Sequence, residues 1–161
     1  MNKLKIKKFH PEAVIPKIAT AGAACVDVVA TEIIELSEGK VIVKFGFGTE
    51  IPLGYKAVMA PRSSFTHKGW IVANSPCQID ADYRGEWMMK FEGVLKCIVP
   101  DRFDAEYGLI RGYKSYDPFP YKAGDRCAQM WLEKVIGFEF EEVEELSDTD
   151  RGQGGFGSTN V

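Results

Sequence analysis

The stretch KVIVKFGFGTEIPLGYKAVMA, residues 40–60, decides the fold class. β-Branched and aromatic residues crowd Lys40–Phe47 and Tyr55–Met59, and the turn signal IPLG separates the two runs, so both read as strands. The same texture continues outward in both directions. Leu4–Phe9, Val26–Ala30, Glu86–Phe91, Leu95–Val99, Cys127–Leu132 and Ile136–Phe140 are also strand-like, with SEG and KAGD among the turns between them. No segment sustains an apolar period of 3.6 residues, although Ser63–Lys68 suits a brief helix capped by serine. Many short strands punctuated in this way predict an all-β jelly roll or sandwich.

With 161 residues the chain is the size of one domain and long enough to bury a core without staples. Its four cysteines form no C-x-x-C pair, and its two histidines, His10 and His67, are far apart, which is poor material for a zinc site or a disulfide framework. Neither a signal peptide nor a long apolar run is visible, so no membrane association is expected and a reducing cytoplasm is the expected compartment. The formal net charge of −3 argues against stable nucleic-acid binding, which needs many phosphate-neutralising cations. A small anionic ligand is compatible with it, because a few local cations and backbone N–H groups suffice.

Four stretches hold residues with chemical potential. PRSSFTHKG, Pro61–Gly69, offers one fixed cation, Arg62, and two hydroxyls, Ser63 and Ser64, at a helix start; it is either a phosphate contact or an ordinary cap with a surface arginine. NSPCQIDADYRGE, Asn74–Glu86, carries Asp80 and Asp82, which share a face if the segment is a strand, close to an amide that can read a base edge and a ring that can pack on a sugar. AGAACVDVVA, Ala21–Ala30, sets Asp27 among apolar neighbours, a costly place for a carboxylate that is not paired, hydrogen-bonded or facing a metal. GDRCAQMWL, Gly124–Leu132, leads a turn into a strand whose only uncharged polar side chain is Gln129. Beyond these, Pro100–Pro120 reads as a long excursion, and Glu139–Asp150, with seven acidic residues, leads into the glycine-rich RGQGGFGSTN at 151–160.

Singly ambiguous, these boxes are informative in order. The sequence Ala-Gly-x-x-x-x-Asp, PRSS, N-S-P-x-x-I-D-x-D-Y-R-G-E, G-D-R-x-A-Q and R-G-x-G-G-F-G-S-T closely resembles the five ordered motifs of the homotrimeric dUTPase (deoxyuridine 5'-triphosphate nucleotidohydrolase) family, from Ala21 to Thr159. That resemblance implies a jelly-roll-like subunit in a threefold-symmetric trimer with active sites shared between subunits. It also implies Mg²⁺-dependent hydrolysis of dUTP to dUMP and pyrophosphate, which limits uracil incorporation into DNA and supplies dUMP. By the same resemblance Asp80 matches the water-activating aspartate, Tyr83 the tyrosine that packs on deoxyribose, and Asn74 the residue that reads uracil with nearby main chain, with Ile79 also at the substrate. Arg62, Ser63, Ser64 and Gln129 match phosphate contacts, and Asp27 the carboxylate that places Mg²⁺ through water. Arg151, Phe156, Gly157, Ser158 and Thr159 match a C-terminal lid that closes over the nucleotide. The implied division is a core of residues 1–140, with an insertion at about 100–120, and a linker and mobile lid arm of residues 141–161.

The chain departs from the family pattern at two places. Cys77 stands where the family usually has glycine, so a left-handed backbone there would be strained and base choice altered towards a related deoxynucleotide triphosphate. The Glu86–Gly124 stretch is longer than usual. Phage-encoded members often carry extra segments here, so a phage or viral source, acting in the host cytoplasm, and a regulatory protein partner at the insertion's aromatic residues are further expectations. The related dCTP deaminases are excluded, because their catalytic glutamate would fall on Lys90.

Overall fold

The computed structural model describes residues 3–154. Among these residues the chain runs through β1 (Lys5–Lys8), β2 (Val26–Val29), β3 (Glu32–Ser37), β4 (Lys40–Lys44), β5 (Phe47–Glu50) and β6 (Tyr55–Pro61) to one turn of 3₁₀ helix at Ser63–Phe65. It continues through β7 (Trp70–Val72), β8 (Cys77–Ile79), β9 (Met88–Gly93), β10 (Cys97–Val99), β11 (Arg102–Asp104), β12 (Gly108–Ile110), β13 (Tyr113–Ser115) and β14 (Arg126–Lys134). The all-β, jelly-roll-like expectation holds.

Two four-stranded sheets, ordered β2-β14-β6-β8 and β3-β4-β9-β7, share one core. Val28, Met59 and Cys127 from the first sheet and Val43, Met89 and Phe91 from the second belong to a single buried cluster, with Phe45, Phe47 and Trp87 at its edge of crossing. Alternation explains β4, where Val41 and Val43 are buried and Lys40 is exposed. In β14 the consecutive residues Cys127 and Ala128 are both buried, because the ladder with β2 shifts register between Arg126 and Ala128.

The predicted single strand Lys40–Phe47 is divided at Gly46. Its φ of +69° turns the chain from β4, which pairs with β9, into β5, which pairs with β1. The Gly46 carbonyl accepts the Phe9 and His10 N–H groups at 2.7 and 3.1 Å, and its own N–H donates to Glu86 Oε1 at 2.9 Å.

Other expectations need correction. The brief helix is a single 3₁₀ turn, and Arg62, not a serine, holds its cap position, with no side-chain cap bond. Ile136–Phe140 is not a strand: no ladder partner reaches it, and Ile136, Phe138 and Phe140 are 83, 76 and 92 % exposed. Its alternating pattern states a β preference, whereas strand formation also requires an edge to pair with. Pro100–Pro120 is less loop-like than predicted. Antiparallel β10–β13 and β11–β12 pairs form a nested arm whose root is pinned to the core: Trp70 Nε1–H donates to the Asp117 carbonyl at 2.9 Å, and Phe119 packs edge-on against Trp70 and Phe91 at 5.0 and 5.2 Å.

Gly46 and Gly54 separate backbone strain from crowding. Both have positive φ, but a Cβ on Gly46 would lie 2.8–3.0 Å from Thr31, Ala13 and His10 atoms, whereas one on Gly54 meets nothing within 4 Å. Gly54→Ala is expected to cost about 1–2 kcal/mol of conformational strain and Gly46→Ala at least twice as much, read from equilibrium urea unfolding. Equal losses would mean that the crossing tolerates a methyl group.

Candidate active site

The β2–β14–β6 ladder assembles the first group of candidate residues. Asp27 of β2 lies opposite Gln129 of β14, Gln129 lies opposite Ala60 of β6, and Arg62 follows directly after β6 ends. Asp27 Oδ1 receives Arg62 Nε at 2.9 Å, and Asp27 Oδ2 receives an Arg126 guanidinium nitrogen at 3.2 Å. Asp27 is therefore half-buried but paired, which removes the cost expected for a lone carboxylate. Arg62 also donates to the Arg126 carbonyl at 3.4 Å, so one carboxylate aligns two guanidinium groups whose remaining N–H donors suit phosphate oxygens. Ser63 and Ser64 are exposed on the adjoining 3₁₀ turn.

A second group surrounds the β8–β9 connection. Asp80 and Asp82 do not share a strand face, because β8 ends at Ile79 and a turn begins, its Tyr83 N–H donating to the Asp80 carbonyl at 3.2 Å. The Tyr83 hydroxyl donates to the Glu86 carbonyl at 3.0 Å and its ring covers Gly85, where a Cβ would collide with it. Arg84 closes the turn by donating to the Ala81 and Tyr83 carbonyls at 2.6 and 3.1 Å. Glu86 then ties the turn to the strand crossing, since Oε1 accepts Gly46 N–H and Oε2 pairs with Lys44 at 3.2 Å. Hydrogen bonds donated to Glu32 and then Glu86 hold the Lys44 ammonium above its ordinary pKa. Beside the turn lies a cavity of about 170 Å³, lined by Asn74, Cys77, Ile79, Asp80, Tyr83 and Met88.

The two groups are not neighbours within the chain. Ile79 pairs with Ala57 near the start of β6, whereas Arg62 lies beyond its far end, five residues on, or about 16 Å of extended strand. Arg151 is exposed, and its Nε–H donates to the nearby Gly154 carbonyl at 2.8 Å. Phe156, Gly157, Ser158 and Thr159 lie outside the described residues.

Cys77 corrects a further expectation. It sits in β8 with extended backbone, and the one non-glycine with positive φ among the described residues is His67, so the strain anticipated at Cys77 is absent. Burial pushes the Cys77 thiol up and the Cys127 thiol up to about 12, so both are neutral at pH 7. Sequence reasoning gave no role to Arg126, although it stands in the GDR signal; its pairing with Asp27, 99 residues away, appears only once β2 and β14 are adjacent.

Among the described residues no group of three or more His, Cys, Asp or Glu side chains could cage a metal ion. Both Asp27 oxygens are already engaged by arginines, so the donor set fits a hydrated ion held mainly by phosphates, with Asp27 reached through water, and does not fit a protein cage. No helix among the described residues is long and apolar enough to cross a membrane.

The dUTPase family model matches residues 11–96 and 111–160, omitting β10, β11 and β12 of the nested arm. The deoxyuridine 5'-triphosphate nucleotidohydrolase of Picosynechococcus sp. is 37 % identical over 160 residues, covering 98 % of this chain and 99 % of that protein. The proteins of the same name from Nautilia profundicola and Helicobacter pylori are 38 and 36 % identical, each with 97 % or more of both chains covered. Among solved structures, the Staphylococcus bacteriophage 80alpha dUTPase with dUPNHPP superposes with a TM-score of 0.74 at 24 % identity over the full length of both chains, a likeness of fold. With the family model spanning the core on both sides of the arm and relatives aligned from end to end, the chain belongs to the dUTPase family.

Proposed function

We propose that this chain hydrolyses dUTP to dUMP and pyrophosphate, as a homotrimer whose active sites are shared between subunits. The observation that carries the reaction is the cavity of about 170 Å³, whose lining brings together Asp80, Tyr83 and Asn74.

In this reading Asp80 orients and deprotonates the water that attacks the α-phosphorus in line, and pyrophosphate leaves on the opposite side. Asp80 is exposed on its turn, where its carboxylate is open to water. Tyr83 packs on deoxyribose and excludes a 2′-hydroxyl, while Asn74 reads the base. Arg62, Gln129 and the serine hydroxyls hold the phosphates, and Arg126 keeps Arg62 and Asp27 aligned. A hydrated Mg²⁺ bound with the nucleotide would neutralise phosphate charge, with Asp27 the carboxylate that receives its water shell. The Arg151–Thr159 arm is the lid that excludes bulk water; the acidic linker before it, residues 141–150, extends to about 33 Å, enough to reach a neighbouring subunit. Hydrolysis of this kind would limit uracil incorporation into DNA and supply dUMP.

Distance supports the sharing of sites. A water at the α-phosphorus must touch Asp80 while the phosphates touch Arg62 and Gln129, and one chain holds these groups at opposite ends of β6. The alternating Ile136–Phe140 segment also favours assembly, because Ile136, Phe138 and Phe140 remain largely exposed although the two phenylalanine rings pack edge-on against each other.

Asp80→Asn is expected to lower turnover at least 10²-fold, about 2.7 kcal/mol in barrier, while affinity for a hydrolysis-resistant dUTP analogue stays within tenfold. Turnover within threefold of the parent would reject the assignment. Co-refolding Asp80→Asn chains with Arg62→Ala chains tests sharing: if each site takes Asp80 from one subunit and Arg62 from the next, random mixing restores about a quarter of the sites. No recovered dUTP hydrolysis in confirmed hetero-oligomers would mean that both groups act from one chain.

A second role, binding of a protein partner, is favoured by the nested arm, where Phe103 and Tyr107 are 80 and 73 % exposed near the tip. Because Phe119 and Asp117 anchor the root, only Pro100–Gly112 is replaceable by a short Gly-Ser turn. That replacement is expected to preserve oligomer mass and hydrolysis while abolishing capture of any partner; loss of the oligomer would make the arm structural.

A further inference from the structure

The end of β7 leaves a gap in the ladder that a side chain fills. Ala73 N–H still donates to the Lys90 carbonyl at 2.8 Å, but the next bond across runs from Lys90 N–H to Asn74 Oδ1, at 3.0 Å. The amide oxygen thus takes the place of a strand carbonyl. The amide nitrogen faces the other way and donates to Cys77 Sγ at 3.3 Å, and Sγ lies 3.5 Å from the Met88 carbonyl oxygen.

We propose that Cys77 is a positioning residue for base selection: it locks the Asn74 amide in one of its two flipped orientations, and that lock discriminates uracil from cytosine. The inference rests on the reading of Asn74 as the base-contacting amide. A carbonyl oxygen can only accept, so the thiol hydrogen points to Met88 and the sulfur lone pairs face Asn74. Flipping the amide would set two donors together at Lys90 and remove the N–H from the sulfur, leaving both contacts unsatisfied. Burial favours the neutral thiol and so keeps the S–H donor in place.

The chemical consequence follows from the two bases. Uracil presents an accepting O4 beside a donating N3–H, whereas cytosine presents a donating amino group beside an accepting N3. An amide that could turn over would satisfy either base by exchanging its N–H and C=O. A locked amide, with one N–H and one oxygen lone pair still unspent at the cavity, satisfies one pattern only. Glycine, the residue expected here from the family pattern, has no atom to make this contact.

The test is calorimetric binding of α,β-imido-dUTP and α,β-imido-dCTP to the full chain, which reads selectivity without turnover. Cys77→Ala is expected to lower the dUTP-to-dCTP affinity ratio at least tenfold, mainly by weakening the dUTP analogue. Cys77→Ser, which keeps one donor and one acceptor, is expected to hold the ratio within threefold of the parent. A purely structural cysteine predicts equal weakening of both analogues, and an unchanged ratio in Cys77→Ala overturns the proposal. Asn74→Ala separates the two readings: if it leaves the ratio intact, base reading by Asn74 is wrong, whereas if it collapses the ratio and Cys77→Ala does not, only the lock is wrong. Should Cys77→Ala fail to fold, hydrogen exchange of the Asn74 side-chain amide in the parent decides: a protected N–H supports the lock, and exchange at the rate of an exposed amide overturns it.

Discussion

The length of β6 is the constraint on which the functional arrangement depends. Its seven residues keep the turn carrying Asp80 at one end and Arg62 at the other, and hydrogen bonds to both β8 and β14 leave the strand no freedom to shorten that separation. Each group is well ordered locally, yet the chain by itself presents two half-sites. In the proposed trimer a nucleotide would bridge groups that this backbone holds apart.

Electrostatics serves the same end. Asp27 pairs with two arginines at a half-exposed site, where an ion pair contributes little to stability, on the order of 0–1 kcal/mol. Its value lies in geometry. Two long, rotamer-rich cations are held in register, so less conformational freedom would be lost if they take phosphates as proposed. Glu86 acts similarly for the opposite half-site, linking the Asp80 turn to the Gly46 crossing through one backbone N–H and one lysine.

Most of the architecture was legible because strand preference is local. The runs at residues 40–47, 55–59, 86–91 and 127–132 all lie on or beside observed strands, and the motif order identified the family before any contact was visible. What escaped was whatever depends on a distant partner. Glu32–Ser37 is largely exposed and its Ile33, Ile34 and Leu36 do not alternate strictly with polar residues, so its pairing with β4 left a weak strand signal. The three-residue strands of the arm are stabilised by one another rather than by a buried face. Ile136–Phe140 erred the other way, with a strand pattern and no edge. At the candidate site, the residue types were readable, but the turn after Ile79, the Asp27–Arg126 pair and the Asn74–Cys77 contact are products of register and crossing.

The rooted arm has a consequence for how the molecule tolerates change. Tyr116, Asp117 and Phe119 are bound up with Gly39, Gly93, Trp70 and Phe91, so substitutions there are felt by the core. Beyond them the β11–β12 hairpin is held by its own ladder and by the Asp104 side chain, which accepts the Glu106 and Tyr107 N–H groups. Lengthening such a hairpin costs only about 0.6 kcal/mol per doubling of the loop, and among the described residues none of the hydrogen bonds of the two candidate site groups reaches it. The tip is thus a natural grafting point, where sequence and length can drift, diversify or be engineered at a rate uncoupled from the enzyme beneath.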